Sequence, residues 1–142
     1  MADIRFYHTM QRTPQDILPE LLEKARAKQQ NIVVRVGSAE DIKTIDDYLW
    51  TYSAESFLPH GCKATDNIFI CADAAQSAPI LFLLPNADET IADDVTLCCK
   101  LFDGRDEAQV VAARASWKMF KDTPHTLTYW QQSDAGKWEQ KA

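Results

Sequence analysis

The chain of 142 residues contains only four glycines, Gly37, Gly61, Gly104 and Gly136, and no two of them are close in sequence. Phosphate-binding loops need several neighbouring glycines, because only a backbone without Cβ lets consecutive N–H groups close around an anion. Neither the dinucleotide fingerprint nor the P-loop can therefore be written from this sequence. The turn at residues 36–38 could hold one anion weakly, but an ordinary strand-to-helix turn is the favoured interpretation.

Cysteines are also few. Cys62, Cys71, Cys98 and Cys99 follow no metal-ligand spacing. A zinc site that adds His60 can be imagined, but buried thiols in a reducing compartment are favoured. Cys98 and Cys99 are adjacent in an apparent strand, where alternation directs them to opposite faces.

Long apolar runs are missing as well. No window of about 18 apolar residues exists, so we expect no membrane span. The first residues lack the apolar core of a signal peptide, which predicts a cytoplasmic protein. The net charge of −6 argues against a general nucleic-acid coat, although it permits a local basic patch.

Catalytic motifs are absent from the sequence. No serine lies in a G-x-S-x-G elbow, and the histidines His8, His60 and His125 have no evident partner. The acidic pairs at 46–47 and 93–94 are interpreted as solvated or helix-capping charge. Enzymatic activity would rest on fold analogy alone, and we expect neither a cofactor nor a metal.

Apolar periodicity predicts alternating strands and helices. We expect strands at 4–8, 32–36, 68–71, 80–84, 95–102 and 127–130. We expect one helix to begin after Thr13, a second to begin after Ser38 and a third to span 104–121. This order predicts a single α/β domain over 1–142, with a mostly parallel sheet and helices on both faces. The arrangement is Rossmann-like without a nucleotide-binding motif. The tail, residues 133–142, is expected to fray.

The last helix has two stripes at helical spacing. One is apolar and small, and we expect it to face the sheet: Ala108, Val111, Ala112, Ala115 and Met119. The other contains Val110, Arg114, Trp117 and Lys121, with Lys118 beside it. An indole between cations would suit a carboxylate ligand. The alternative is that Trp117 packs at a sheet edge while the cations are merely solvated.

Residues 46–61 are the most unusual stretch. Trp50, Tyr52, Phe57 and Leu58 surround a turn closed by Pro59, although surface connections are normally small and polar. These large side chains either cover the core as a plug or contact a partner.

The run from Leu49-Trp50 to Glu55-Ser56-Phe57-Leu58-Pro59-His60 resembles the hallmark segment of the chi subunit of bacterial DNA polymerase III. The sequences at 4–7, 101–104, 113–118 and 127–130 look like the same family, so the resemblance covers nearly the whole chain.

This resemblance implies a non-catalytic accessory subunit of the clamp-loader assembly, which joins the psi subunit to the acidic C-terminal tail of single-stranded-DNA-binding protein. Contact with nucleic acid would be indirect. By position, Trp50, Arg114 and Trp117 match the pocket for the tail. A lysine of some relatives is missing near 109–110, which leaves Lys118 or Lys121 as the second cation. The residues matched to the psi contact are Phe57, Leu58 and His60.

Two rival functions remain open. One is a nucleotide-handling enzyme on an α/β sheet, which the scarcity of glycine disfavours. The other is a direct single-stranded-DNA binder that uses Trp50 and Trp117 as stacking platforms, which the net charge of −6 disfavours.

Overall fold

The computed structural model describes residues 2–10, 13–26, 30–51, 68–73, 78–133 and 137–141. These residues form seven strands and three helices. The strands are β1 (Asp3–Thr9), β2 (Ile32–Arg35), β3 (Ile68–Cys71), β4 (Ile80–Leu83), β5 (Leu97–Asp103), β6 (Thr126–Gln132) and β7 (Trp138–Gln140). The helices are α1 (Pro14–Arg26), α2 (Ala39–Thr51) and α3 (Glu107–Lys121).

The strands form one sheet in the order β3-β2-β4-β5-β1-β6-β7. Pairing is parallel from β3 to β6, and only β7 runs antiparallel to its neighbour β6. The predicted α/β class with a mostly parallel sheet is therefore confirmed. Strands β4 and β5 are almost entirely buried, as their mainly apolar sequences require, whereas three of the seven residues of β1 are only partly buried.

Helices α1 and α2 pack on one face of the sheet, which we call the two-helix face. The core there is aliphatic and includes Ile17, Leu18 and Leu22 of α1 and Ile45 and Leu49 of α2. At the start of α1, Thr13 and Asp16 cap each other reciprocally, because each backbone N–H donates to the other side chain at 3.2 Å.

Helix α3 packs on the opposite face, which we call the α3 face. Its core contains Phe6, Leu81 and Phe102 from the strands and Ala113 and Phe120 from the helix. Cys98 belongs to this core and Cys99 to the other. The predicted separation of these two cysteines is confirmed, and it follows from the two-residue period of a strand.

Charged side chains are buried on the α3 face. Arg35 is fully buried, and its Nη1 donates to the carbonyl oxygens of Asp88 at 2.9 Å and Thr90 at 2.6 Å. Glu89 Oε1 accepts from Lys100 Nζ at 3.2 Å and from Ser116 Oγ at 2.6 Å. These bonds attach the connection between β4 and β5 to both the sheet and α3, which compensates for the burial of the cations.

The C-terminal segment differs from the prediction. Residues 138–140 form β7, and Ser133 N donates to the Lys137 carbonyl oxygen at 2.7 Å. The Trp138 ring meets Tyr7 edge-on at 5.1 Å between centroids. The expectation of a frayed tail is wrong for this strand, because Trp138 contributes apolar contacts that the polar composition of the segment does not suggest.

Candidate functional site

Helix α3 turns a different side to the sheet from the one predicted. Asp106 caps its start by accepting from the backbone N–H groups of Ala108 and Gln109, at 3.0 and 3.3 Å. The buried residues are Ala113, Ser116 and Phe120.

The predicted core stripe is therefore wrong. All five of its members are exposed, and the two largest, Val111 and Met119, are 58% and 52% exposed. The side that faces the sheet carries Phe120 and the half-buried Trp117, and burying these two rings removes more apolar area from water than burying Val111 and Met119 would.

With this side of α3 against the sheet, a pocket of about 320 Å³ lies between the helix and strands β5 and β6. We call it the α3 pocket. It is lined by Phe102, Val110, Ala113, Arg114, Trp117, Lys118 and Tyr129. Arg114 and Lys118 are exposed, whereas Trp117 and Tyr129 are half-buried. The pocket thus combines an aromatic floor with cations that remain accessible to a ligand.

Aromatic rings fix the floor of the α3 pocket. Trp117 meets Phe6 at 5.3 Å and Tyr129 at 6.0 Å between centroids, with interplanar angles of 74° and 77°. Tyr129 also meets Phe102 at 6.1 Å and 63°. Edge-to-face contacts of this kind are favourable beyond the burial of apolar area, so the floor of the pocket is formed before any ligand binds.

Tyr129 and His8 are among the residues of this region that sequence reasoning missed. Tyr129 lines the pocket, and its hydroxyl is hydrogen-bonded to His8 Nδ1. The two residues are 121 positions apart in the chain, and parallel pairing of β1 with β6 brings them together. The only sequence signal was that both lie near the ends of predicted strands, where ligand sites of α/β sheets concentrate.

The structure brings together three of the five predicted pocket residues, namely Arg114, Trp117 and Lys118. Lys121 is exposed on the same helix but does not line the pocket. The backbone of Trp50 lies in the last turn of α2, which contributes to the core of the two-helix face. Its place in the pocket remains a prediction.

The residues proposed for the psi contact fall in a part of the chain that the structure does not describe. Phe57, Leu58 and His60 all lie within residues 52–67, as does Cys62. Their roles therefore remain predictions.

A second cleft lies at the carboxyl ends of the strands, where nucleotides bind in many sheets of this type. Its volume is about 310 Å³, and Asp41 and Asp103 are among its lining residues. Partial burial raises the pKa of Asp103, but hydrogen bonds from Arg105 and its positive charge outweigh that effect and hold the pKa below its usual range. The cleft therefore presents carboxylates where a phosphate ligand would need positive charge.

The described residues contain no cluster of three or more His, Cys, Asp and Glu side chains suited to a metal ion. Cys71, Cys98 and Cys99 are buried thiols, and burial strongly raises the pKa of Cys98, which suppresses its reactivity. Within the same ranges, no helix has both the length and the apolar character needed to cross a bilayer.

The fold and the pocket together define an α/β protein with a mostly parallel sheet, in which an aromatic and cationic pocket lies beside a helix and the sequence has no glycine-rich phosphate loop. Residues 1–128 match the family described as DNA polymerase III chi subunit, HolC, and the chain belongs to this family. Membership supports an accessory role in DNA replication. No curated protein sequence matched the chain.

Proposed function

We propose that this chain is a non-catalytic subunit of the clamp-loader assembly that binds the acidic C-terminal tail of single-stranded-DNA-binding protein in the α3 pocket. The observation that carries the proposal is the composition of the pocket. Arg114 and Lys118 border a floor made of Trp117, Tyr129 and Phe102 on a protein whose net charge is −6. Local positive charge on an acidic protein favours an acidic ligand over a nucleic-acid coat.

The size of the pocket supports a ligand that ends in an aromatic residue. A cavity of roughly 150 Å³ holds a benzene ring, so the volume of about 320 Å³ accommodates a phenylalanine side chain and a neighbouring proline. The ring would lie against Trp117 and Tyr129. The terminal carboxylate would accept hydrogen bonds from Arg114, since a guanidinium matches a carboxylate in a two-pronged arrangement.

Such a site predicts moderate affinity. A charge-assisted hydrogen bond contributes about 1.5–3 kcal/mol, and burial of the ring contributes a similar amount. After the entropic cost of association is subtracted, we expect a dissociation constant in the micromolar range, which corresponds to a binding free energy of about −8 kcal/mol. The affinity should decrease with added salt, because Arg114 and Lys118 are exposed.

The decisive experiment is a fluorescence titration of a labelled acidic peptide that ends in Pro-Phe. We expect Arg114→Ala to abolish detectable binding while leaving the circular dichroism spectrum unchanged, because the side chain is exposed. Lys121→Ala is the matched control, since it removes a cation from the same helix outside the pocket. Wild-type affinity in Arg114→Ala, or equal losses in the two variants, would contradict the proposal.

We also propose that Phe57, Leu58 and His60 contact the psi subunit, on the basis of the resemblance of residues 49–60 to the family's hallmark segment. Co-purification of Phe57→Ala with psi tests this assignment, and we expect recovery of psi to fall. Undiminished recovery would refute it. The proposed role places the chain in the cytoplasm, where bacterial DNA is replicated.

The rival in which the chain stacks directly on single-stranded DNA makes a different prediction. Binding to coated DNA should disappear when the acidic tail is removed from the coating protein, if the tail is the ligand. Persistence of binding would favour stacking on Trp117 instead.

A further inference from the structure

Next to the α3 pocket lies His8, a residue to which the function proposed above assigns no role. His8, near the end of β1, is hydrogen-bonded through Nδ1 to the hydroxyl of Tyr129, which lines the pocket. The two rings meet nearly at right angles, 5.8 Å apart. The orientation of one pocket wall therefore depends on a side chain that is itself outside the pocket lining.

The position of His8 is closely constrained. Its ring lies 4.9 Å from the Phe102 ring, and a Cβ added at Gly104 would come within 1.8 Å of His8 Nε2. The imidazole thus fills the space that a side chain at residue 104 would need. Because the ring is held on both sides, it can fix the Tyr129 hydroxyl in one place.

The charges around His8 decide its protonation state. Burial lowers the pKa of His8, the positive charge of Arg114 lowers it further, and the carboxylate of Asp103 opposes them. Burial raises the pKa of Tyr129, against the effect of Arg114, so its hydroxyl keeps its proton. At neutral pH the Tyr129 hydroxyl therefore donates to the lone pair of a neutral His8. His8 Nε2 is buried and has no hydrogen-bond partner among the described residues.

We propose that His8 is a positioning residue of the α3 pocket, which holds Tyr129 as a fixed wall and takes up a proton when a carboxylate binds beside Arg114. The inference rests on the proposed function, because it assumes an anionic ligand in this pocket. It adds a residue that the ligand does not touch, and it predicts a dependence on pH that positioning of the ring by apolar packing alone would not produce.

The sign of that dependence follows from linkage. A bound carboxylate offsets the positive field of Arg114, so the pKa of His8 is higher in the complex than in the free protein. The affinity for the peptide is then greatest at pH values below the pKa that His8 has in the free protein. It decreases as the pH rises through the pKa that His8 has in the complex. Peptide carboxylates stay ionised above about pH 5. We expect binding to be about two- to fivefold tighter at pH 5.5 than at pH 8.

The test is a titration of the labelled Pro-Phe peptide against the intact chain at these two pH values and constant salt. His8→Asn keeps an acceptor near the position of Nδ1 but cannot titrate, whereas His8→Leu removes the acceptor. His125→Asn is the control, because His125 accepts from the backbone N–H of Ala2 and does not line the pocket. Circular dichroism at each pH confirms that every variant is folded.

We expect His8→Asn to bind within about twofold of wild type at pH 8 and to lose the dependence on pH, while His125→Asn keeps it. His8→Leu and Tyr129→Phe should each weaken binding about fivefold, and the double variant should be no weaker than either, because both act through one hydrogen bond. Wild-type behaviour of His8→Leu at pH 8, or an unchanged pH profile in His8→Asn, would overturn this inference alone. Failure of the wild-type chain to bind the peptide would overturn the proposed function as well.

Discussion

The two faces of the sheet are built from different materials. The two-helix face is covered by α1 and α2, and its core is mostly aliphatic. Among the described residues, Tyr7 and Phe82 are the two buried aromatic residues of this core. The α3 face is covered by a single helix, and its core includes aromatic rings together with the buried charges of Arg35 and Lys100.

The difference explains where the pocket lies. One helix cannot cover a seven-stranded sheet, so part of β5 and β6 beside α3 remains accessible. Aromatic side chains suit such a boundary, because they bury a large area while keeping an edge or a polar group available. Both faces therefore carry a core, and the α3 face also carries the pocket for which we propose a ligand.

The largest effect should come from removing the main anchor of α3. Phe120 is 5% exposed, so Phe120→Ala should lower the free energy of unfolding by about 3–5 kcal/mol. Met119→Ala, one residue away on the exposed side, should change it by less than about 0.5 kcal/mol. Urea unfolding of the two variants measures the difference. Equal losses of stability in the two variants would contradict the packing of α3 in which Phe120 faces the sheet and Met119 faces solvent.

A smaller but substantial effect is expected from Glu89. Glu89→Ala leaves the Lys100 ammonium, whose side chain is only 6% exposed, without its carboxylate. Loss of one partner of a buried pair should cost about 3 kcal/mol.

The control for Glu89 is Glu139→Ala. It removes a carboxylate from a pair in which both side chains are about half exposed, so it should cost about 0–1 kcal/mol. Thermal denaturation of both variants tests whether buried charge distinguishes the α3 face. Similar melting temperatures of Glu89→Ala and Glu139→Ala would show that the buried ion pair of the α3 face contributes no more to stability than the exposed pair.

The smallest of these effects concerns Gly104. In Gly104→Ala the new Cβ would meet His8 Nε2 at 1.8 Å and the Thr9 carbonyl oxygen at 2.6 Å. Relief of this overlap should cost about 1–3 kcal/mol and displace the His8 ring. Near-ultraviolet circular dichroism reports on the rings of the α3 pocket. An unchanged spectrum together with unchanged stability would show that His8 is not held as described.

The order of the elements was predictable because each signal is local. Alternation marks the strands, and the Thr13 cap marks the start of α1 through contacts with residues only a few positions away. Arg114, Trp117 and Lys118 could be grouped for the same reason, since residues three or four apart share one side of a helix.

The failures concern contacts between distant segments. The pattern of α3 predicted the wrong side toward the sheet, because the side that is buried depends on distant partners such as Glu89, which accepts from Ser116 across 27 positions. The tail was expected to fray because its composition is polar, yet β7 pairs with β6 and Trp138 reaches Tyr7.

By itself, the sequence determined the alternation of strands and helices, the absence of a phosphate-binding loop and the row of cations on the last helix. All of these depend on residue type and on spacing within a few turns. Only the tertiary structure decided which side of α3 faces the sheet, that Arg35 and Lys100 are buried, and that His8 meets Tyr129. The physical reason is that burial and pairing depend on the order of strands in the sheet, which joins residues far apart in the chain.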